Sequence, residues 1–229
     1  MKKHFGIIAA VLASVMLLTA SLTGCGSSGP TEEDAQKYVQ AILDLMCTGE
    51  YDKSVKFANI EEGAEMDMRE SLIDNIVEEY TQETNLGQEA KIQMRDFLVD
   101  SFSKCRYTVG EAVKTDDRGE TGYDVKVTVE PLKVFEGSSD ALQDTIGDLI
   151  SDTEKIQSLS QDELTDLVYD SLFDVLDNNI ENPQYEAPEE ITVHYGLIDK
   201  EHDIYGVNEN EAAKVGTKLF STEGLEMNK

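Results

Sequence analysis

Residues 123–129 read Tyr123-Asp124-Val125-Lys126-Val127-Thr128-Val129. Bulky apolar side chains alternate strictly with polar ones, and this period of two predicts a β-strand with one buried face. Residues 107–113 carry a weaker alternating pattern just upstream, and the segment between the two is rich in Asp, Thr and Gly. The two segments therefore predict a β-hairpin.

The segment after residue 30 has the pattern of an amphipathic helix. Apolar residues recur at intervals of three and four from Ala35 to Met46, which is the spacing of one helix face. Thr31 and Asp34 resemble a capping box, so we expect the helix to begin there. It is expected to end near Gly49.

The same two periods continue along the chain. Helical patterns occupy residues 68–80, 94–105, 142–150, 164–180 and 209–220, and alternating patterns occupy residues 191–197 and 204–207. Such blocks predict an α+β fold, with amphipathic helices packed on one face of an antiparallel sheet of about four strands. We expect a single domain over residues 31–220, followed by a C-terminal tail at residues 221–229.

The N-terminus has the layout of a secretion signal. Lys2 and Lys3 precede an apolar run from Phe5 to about Leu18. A transmembrane helix needs about 20 apolar residues, so this run is too short for a permanent span. A plain cleaved signal, with Ala20 or Gly24 at the cleavage site, would leave the mature protein soluble.

The segment Leu22-Thr23-Gly24-Cys25 follows this run. It resembles the signal of bacterial lipoproteins, in which the cysteine is lipidated and becomes the mature N-terminus. The resemblance implies that residues 1–24 are a signal peptide and that Cys25 carries a diacylglyceryl group with acyl chains such as palmitate. It also implies that residues 25–30 are a lipidated cysteine with a flexible tether. The chain would then be anchored to the outer face of the cell membrane.

The order of elements carries a second, broader resemblance. A lipidated cysteine, a Gly/Ser tether, an amphipathic first helix and then helices with a curved antiparallel sheet resemble small Gram-positive lipoproteins. Many of these carry a cystatin-like or nuclear-transport-factor-like domain of unknown function. The resemblance implies a domain of this kind over residues 31–220, and it brings no catalytic residues with it.

The chain is strongly acidic. It has 47 Asp and Glu residues against 19 Lys and Arg residues, and its formal net charge is −28. Such a surface repels the phosphates of nucleic acids, so we exclude nucleic acid as a partner. An acidic surface suits a cationic ligand or a protein partner, and it also promotes solubility.

Aspartates recur every four residues in two of the predicted helices. The two sets are Asp140, Asp144, Asp148 and Asp152, and Asp162, Asp166, Asp170 and Asp174. This spacing places each set on one helix face, opposite the apolar stripe. The pattern is typical of a solvated face, and a cation-attracting surface is the alternative. No metal site is predicted, because the calcium-loop pattern beginning at Asp199 lacks the glycine at its sixth position.

Lipidation of Cys25 would leave Cys47 and Cys105 as the remaining cysteines. An even pair outside the cytoplasm can form a disulfide bond. Both residues also fall late in apolar helical patterns, so two buried thiols are the alternative. Two cysteines without clustered histidines do not predict a zinc site.

The sequence contains neither Gly-x-Ser-x-Gly nor His-Glu-x-x-His. We therefore expect a non-enzymatic binding or interaction domain without a cofactor. Tyr107, Tyr123 and Tyr195 are candidates to line a ligand site on the concave face of the sheet, and packing in the core is their alternative role. Two other functions stay open: a transporter's substrate-binding lipoprotein, and a cell-envelope hydrolase with an acid pair that only the fold could reveal.

Overall fold

The computed structural model describes residues 29–57, 63–84, 87–117, 120–152 and 157–224. The predicted signal peptide and Cys25 lie outside these residues. The helices are α1 (Glu32–Thr48), α2 (Glu65–Thr84), α3 (Gln88–Ser103), α4 (Ser138–Ser151), α5 (Gln161–Glu181) and α6 (Glu209–Leu219). The strands are β1 (Arg106–Asp117), β2 (Glu120–Glu130), β3 (Glu189–Asp199) and β4 (Ile204–Val207).

The four strands form one antiparallel sheet in the order β1-β2-β3-β4. The register of the first pair places Tyr107 opposite Val129, and that of the second places Val125 opposite Val193. A β-bulge interrupts β1 between Val109 and Ala112. The predicted α+β class and antiparallel sheet of about four strands are confirmed.

The alternation in β2 separates a buried face of the sheet from a polar one. Val125, Val127 and Val129 have no exposed surface, whereas Lys126 between them is exposed. Successive side chains of a strand point to opposite faces, so the three valines line the same side of the sheet. The alternation in the sequence therefore reflects a strand with one face in the core and the other toward solvent.

Both ends of α1 are fixed by local hydrogen bonds. The Asp34 amide donates to the Thr31 hydroxyl (3.2 Å), and the Thr31 amide donates to the Asp34 carboxylate (2.8 Å). This is the predicted capping box. At the other end, Gly49 has a φ of 76°, a left-handed conformation that glycine adopts without strain, and its amide donates to the Leu45 carbonyl.

Burial of α1 extends around the helix and is not limited to one stripe. Its buried residues are Ala35, Tyr38, Val39, Ala41, Ile42, Leu43, Leu45, Met46 and Cys47. Two runs of three successive residues, 41–43 and 45–47, are included, and such runs cannot lie on one face of a helix. The reason is that α1 contacts the sheet on one side and α2 and α3 on the other. The outer helices continue this layer, because α5 packs on α3 and α4 packs on α5.

The C-terminal segment closes the fold. Leu132 donates its amide to the Leu219 carbonyl (2.9 Å) and accepts from the Ser221 amide (2.9 Å). The rings of Phe102 and Phe220 meet edge to face with centroids 5.5 Å apart. Within the predicted tail, the Gly224 carbonyl accepts a hydrogen bond from the Ser139 hydroxyl (2.5 Å). Residues 221–224 are thus bonded to the body of the fold.

A matched pair of valines tests the placement of the hairpin. Val127→Ala should lower the free energy of unfolding by about 2 kcal/mol, because it removes two buried carbon atoms and leaves a cavity. Val113→Ala makes the same chemical change at a side chain that is 57% exposed, so the loss should stay below about 1 kcal/mol. Urea unfolding of the two variants measures both values. Equal losses would contradict this orientation of the hairpin.

Candidate functional site

Two of the three candidate tyrosines lie together beneath α1. Tyr123 and Tyr195 face each other across β2 and β3, with ring centroids 6.4 Å apart. Tyr38 of α1 packs on Tyr195 at 5.0 Å, and the ring of Tyr205 stacks on it at 6.2 Å. Only 4% of Tyr123 and 0% of Tyr195 are exposed. In this structure the two rings contact the core and do not line an open surface.

The hydroxyl groups of these two tyrosines differ in their bonding. The Tyr123 hydroxyl donates to the carbonyl of Pro30, just before α1. The Tyr195 hydroxyl is buried and has no hydrogen-bond partner among the described residues. Burial, and next the nearby negative charge of Asp34, raise the pKa of Tyr195 above its ordinary value. Tyr195 therefore stays neutral at physiological pH.

Tyr107 lies in a different part of the core. Its hydroxyl donates to the Asp44 carboxylate of α1 (2.6 Å), which also accepts from the Gln40 amide group (2.7 Å). Burial raises the pKa of Tyr107, and the bond to Asp44 raises it further. Tyr107 pairs with Val129, six residues along β2 from Tyr123, so the structure does not bring the three candidates together. Asp44 is a site residue that was not predicted, although an acid between the apolar residues 43 and 45 is a visible signal in the sequence.

A polar groove runs along the solvent side of the first turns of α1. Its volume is about 460 Å³, and its lining residues are Glu33, Gln36, Lys37, Gln40, Ala41 and Asp52. Lys37 and Glu33 form an ion pair across one helical turn (2.6 Å). Amide, carboxylate and ammonium groups together can hydrogen-bond a small polar molecule. The sequence pattern gave no sign of the groove, because the loop that supplies Asp52 has no periodic signal.

The remaining two cysteines are neighbours in the structure. Cys47 is buried in the last turn of α1, and Cys105 lies partly buried between α3 and β1. Both are free thiols, and their side chains interact with each other. The Cys105 thiol also donates to the Ser101 carbonyl at 3.6 Å. Burial, and next the neighbouring Cys47, raise the pKa of Cys105, which disfavours its thiolate at neutral pH.

Carboxylates crowd the exposed surface where α3 packs on α5. We define the α3–α5 acidic face by Asp96, Asp100, Asp174, Asp177 and Glu181, all of which are exposed. Partial burial, and then the charges of the other four, raise the pKa of Asp177. Across the described ranges, no group of three or more His, Cys, Asp or Glu side chains has a geometry that could hold a metal ion.

Two histidines, His194 and His202, lie within the described residues, and each is paired with an acid in the sheet or its last turn. His194 Nδ1 lies 2.9 Å from Asp124 Oδ1 on the polar face of the sheet. A Cβ built on Gly122 or Gly196 would lie within 2.8 Å of the His194 ring, so these two glycines make room for it. His202 pairs with Asp199 (2.8 Å) at the turn between β3 and β4.

One spacing typical of catalytic serine–lysine pairs escaped the sequence analysis. Ser101 and Lys104 stand three residues apart at the end of α3. The Ser101 hydroxyl is buried and has no hydrogen-bond partner within the part of the chain that the structure describes, whereas Lys104 is exposed. Because a nucleophile must be reachable by substrate, this pair does not form an active site in the structure.

Two tyrosine substitutions should have opposite effects on stability. Tyr195→Phe removes a buried hydroxyl without a partner, so the free energy of unfolding should stay unchanged or rise. Tyr107→Phe removes a hydrogen bond to a carboxylate, so the free energy should fall by about 1.5 kcal/mol. Urea unfolding at pH 7 measures both. A loss above about 1 kcal/mol for Tyr195→Phe would instead indicate that a buried water bonds this hydroxyl.

Comparison with known proteins gives one informative match. No family model matches the chain, and no curated protein matches its sequence. Among solved structures, the fold is similar to the crystal structure of YcdA from Bacillus subtilis, described as a predicted lipoprotein. The match has a TM-score of 0.53 and 17% sequence identity, and it covers 82% of this chain and 56% of YcdA. The chain therefore spans little more than half of that protein, and the likeness shows a shared fold alone.

Proposed function

We propose that the chain is a lipoprotein, anchored to the outer face of the cell membrane through Cys25, whose folded body is a non-enzymatic interaction domain. The segment Leu22-Thr23-Gly24-Cys25 supports the anchor. The likeness to YcdA, described as a predicted lipoprotein, agrees with it. The proposal keeps the more specific resemblance to Gram-positive lipoproteins with a cystatin-like or nuclear-transport-factor-like domain.

The observation that carries the proposal is the short distance along the chain between Cys25 and the fold. Pro30 is already held by the hydroxyl of Tyr123, and Gly29 lies against the hydroxyl of Tyr205. Four residue steps separate Cys25 from Gly29, and an extended chain spans at most about 14 Å over that length. A lipid on Cys25 would therefore hold this end of the domain close to the bilayer. No helix within the described residues is long and apolar enough to cross a membrane.

The packing beneath α1 supports an interaction surface more than a deep ligand pocket. Tyr123 and Tyr195, the expected pocket residues, are covered by α1. A small-molecule site would need an open concave surface there. The α3–α5 acidic face and the net charge of −28 favour a partner with a basic surface. The polar groove on α1 is the specific observation that keeps small-molecule binding, as in a transporter's substrate-binding lipoprotein, as the second candidate.

Replacing the anchor residue tests the localisation. Cys25→Ala should move the protein from the membrane fraction to the culture medium or periplasm and abolish incorporation of a labelled fatty acid. Cys105→Ala is the matched control, because it removes a cysteine that the proposal leaves unlipidated. Fractionation and in-gel detection of the label measure both effects. Membrane association and labelling that survive in Cys25→Ala would overturn the anchor.

A pair of charge-neutralised variants tests the interaction surface. In the first variant, Asp96, Asp100 and Asp177 of the α3–α5 acidic face become Asn. The control neutralises the same number of exposed acids on α4, namely Asp140, Asp144 and Asp148. Cross-linking in the protein's own membranes should recover a protein partner with wild type and with the control, and several-fold less with the first variant.

One result of native mass spectrometry on the protein from its own membranes would contradict the interaction domain. That result is a retained small molecule without any protein partner. Equal losses of the partner in both variants would place the contact away from the α3–α5 acidic face.

A further inference from the structure

We propose that Cys47 and Cys105 are joined by a disulfide bond in the mature protein outside the cytoplasm. The bond would link the last turn of α1 to the residue before β1. It would enclose residues 48–104, which include α2 and α3. The sequence left open whether these cysteines are bridged or are separate buried thiols, and the arrangement of their neighbours favours the bridge.

The alignment of α1 with β1 brings the two cysteines together. Asp44 and Cys47 lie three residues apart on α1 and so project from the same helix face. Tyr107 and Cys105 lie two residues apart on the extended chain and so project from the same side. The Tyr107 hydroxyl bonds the Asp44 carboxylate at 2.6 Å. Moving from Asp44 to Cys47 on α1, and from Tyr107 to Cys105 on the facing segment, this alignment brings the Cys105 thiol to the Cys47 thiol.

The contacts around the two sulfur atoms also favour a bond between them. They interact directly, and Cys105 has a further contact to the Ser101 carbonyl (3.6 Å). Arg69 also lies near Cys47, and its Nε donates to the Met46 carbonyl at 3.1 Å. These contacts hold α2, α3 and the end of α1 in place. Two thiols held in contact by rigid elements need little backbone movement to be joined.

The chemistry is thiol–disulfide exchange with an external disulfide, either a low-molecular-weight disulfide or that of an envelope oxidoreductase. The thiolate of Cys105, the more exposed residue, attacks the oxidant's disulfide, forming a mixed disulfide and releasing one thiolate. The thiolate of Cys47 then attacks the Cys105 sulfur and releases the second. The protons of the two cysteines end on the two released thiols. The cysteines are oxidised by two electrons, and the oxidant is reduced by two.

Burial of Cys105 predicts when the bond forms. Because its raised pKa leaves little thiolate near neutral pH, exchange on the folded protein is slow. Refolding from denaturant in a buffer of oxidised and reduced glutathione should therefore form the bond much faster than the same buffer acting on the folded protein. Peptide mass spectrometry after alkylation of the remaining thiols identifies a peptide that links Cys47 to Cys105.

The decisive measurement uses the full-length protein from its own membranes, alkylated at lysis. A peptide linking Cys47 to Cys105 is expected, as is a thermal midpoint about 5 °C or more higher without reductant than with it. The variants Cys47→Ala and Cys105→Ala should each lose this response to reductant. Alkylation of both cysteines in the freshly lysed wild type would overturn the proposal, even if neither variant folds.

The location of the oxidation rests on the proposed anchoring outside the cytoplasm. A refolding experiment tests the disulfide bond separately from the anchoring. Cys25→Ala refolded in glutathione buffer needs no membrane. If it forms the bond while the protein from cells remains reduced, the two thiols can be joined but are not joined in the mature protein; the proposed disulfide is then overturned, and the localisation is still judged by fractionation. If refolded Cys25→Ala leaves both thiols free, the disulfide itself is excluded, and the localisation is judged by fractionation alone.

Discussion

The burial of α1 on both sides is the constraint on which the rest of the structure depends. A helix with runs of three buried residues cannot rest on a single surface, so it requires a layer on each side. The sheet supplies one layer, and α2 and α3 supply the other. The outer helices α4 and α5 carry exposed aspartates such as Asp144 and Asp174. The central helix α1 carries acids as well, and one of them, Asp44, accepts a hydrogen bond from the Tyr107 hydroxyl.

The same helix covers the face of the sheet that was expected to bind a ligand. Tyr38 fills the space above Tyr195, and Asp44 takes up the hydroxyl of Tyr107. Each contact removes a surface that a ligand would have used. The open polar features of the described residues include the groove on the outer side of α1 and the acids on the outer helices. This distribution is the physical basis for preferring an interaction domain over a deep binding pocket.

Much of the fold was predictable because its determinants are local in sequence. The Thr31–Asp34 capping box marks the start of α1, and the alternation in residues 123–129 marks the central strand. The candidate site was less predictable. Alternation assigns Tyr123 and Tyr195 to one face of the sheet, but it carries no information about what covers that face. The cover is a helix distant in sequence from β3, and the groove depends on an irregular loop.

The two edges of the sheet bear on how copies of the chain would associate if the proposed anchor confined them to one membrane surface. Molecules confined to a plane meet one another far more often than molecules in solution, and an open strand edge invites pairing between them. Along β3, where β4 pairs only with residues 195–199, Glu211 of α6 accepts the free amide of His194 (3.0 Å). Along β1, the bulge before Ala112 breaks the regular row of donors and acceptors. Both features leave less of the strand edges open to pairing with another copy of the chain.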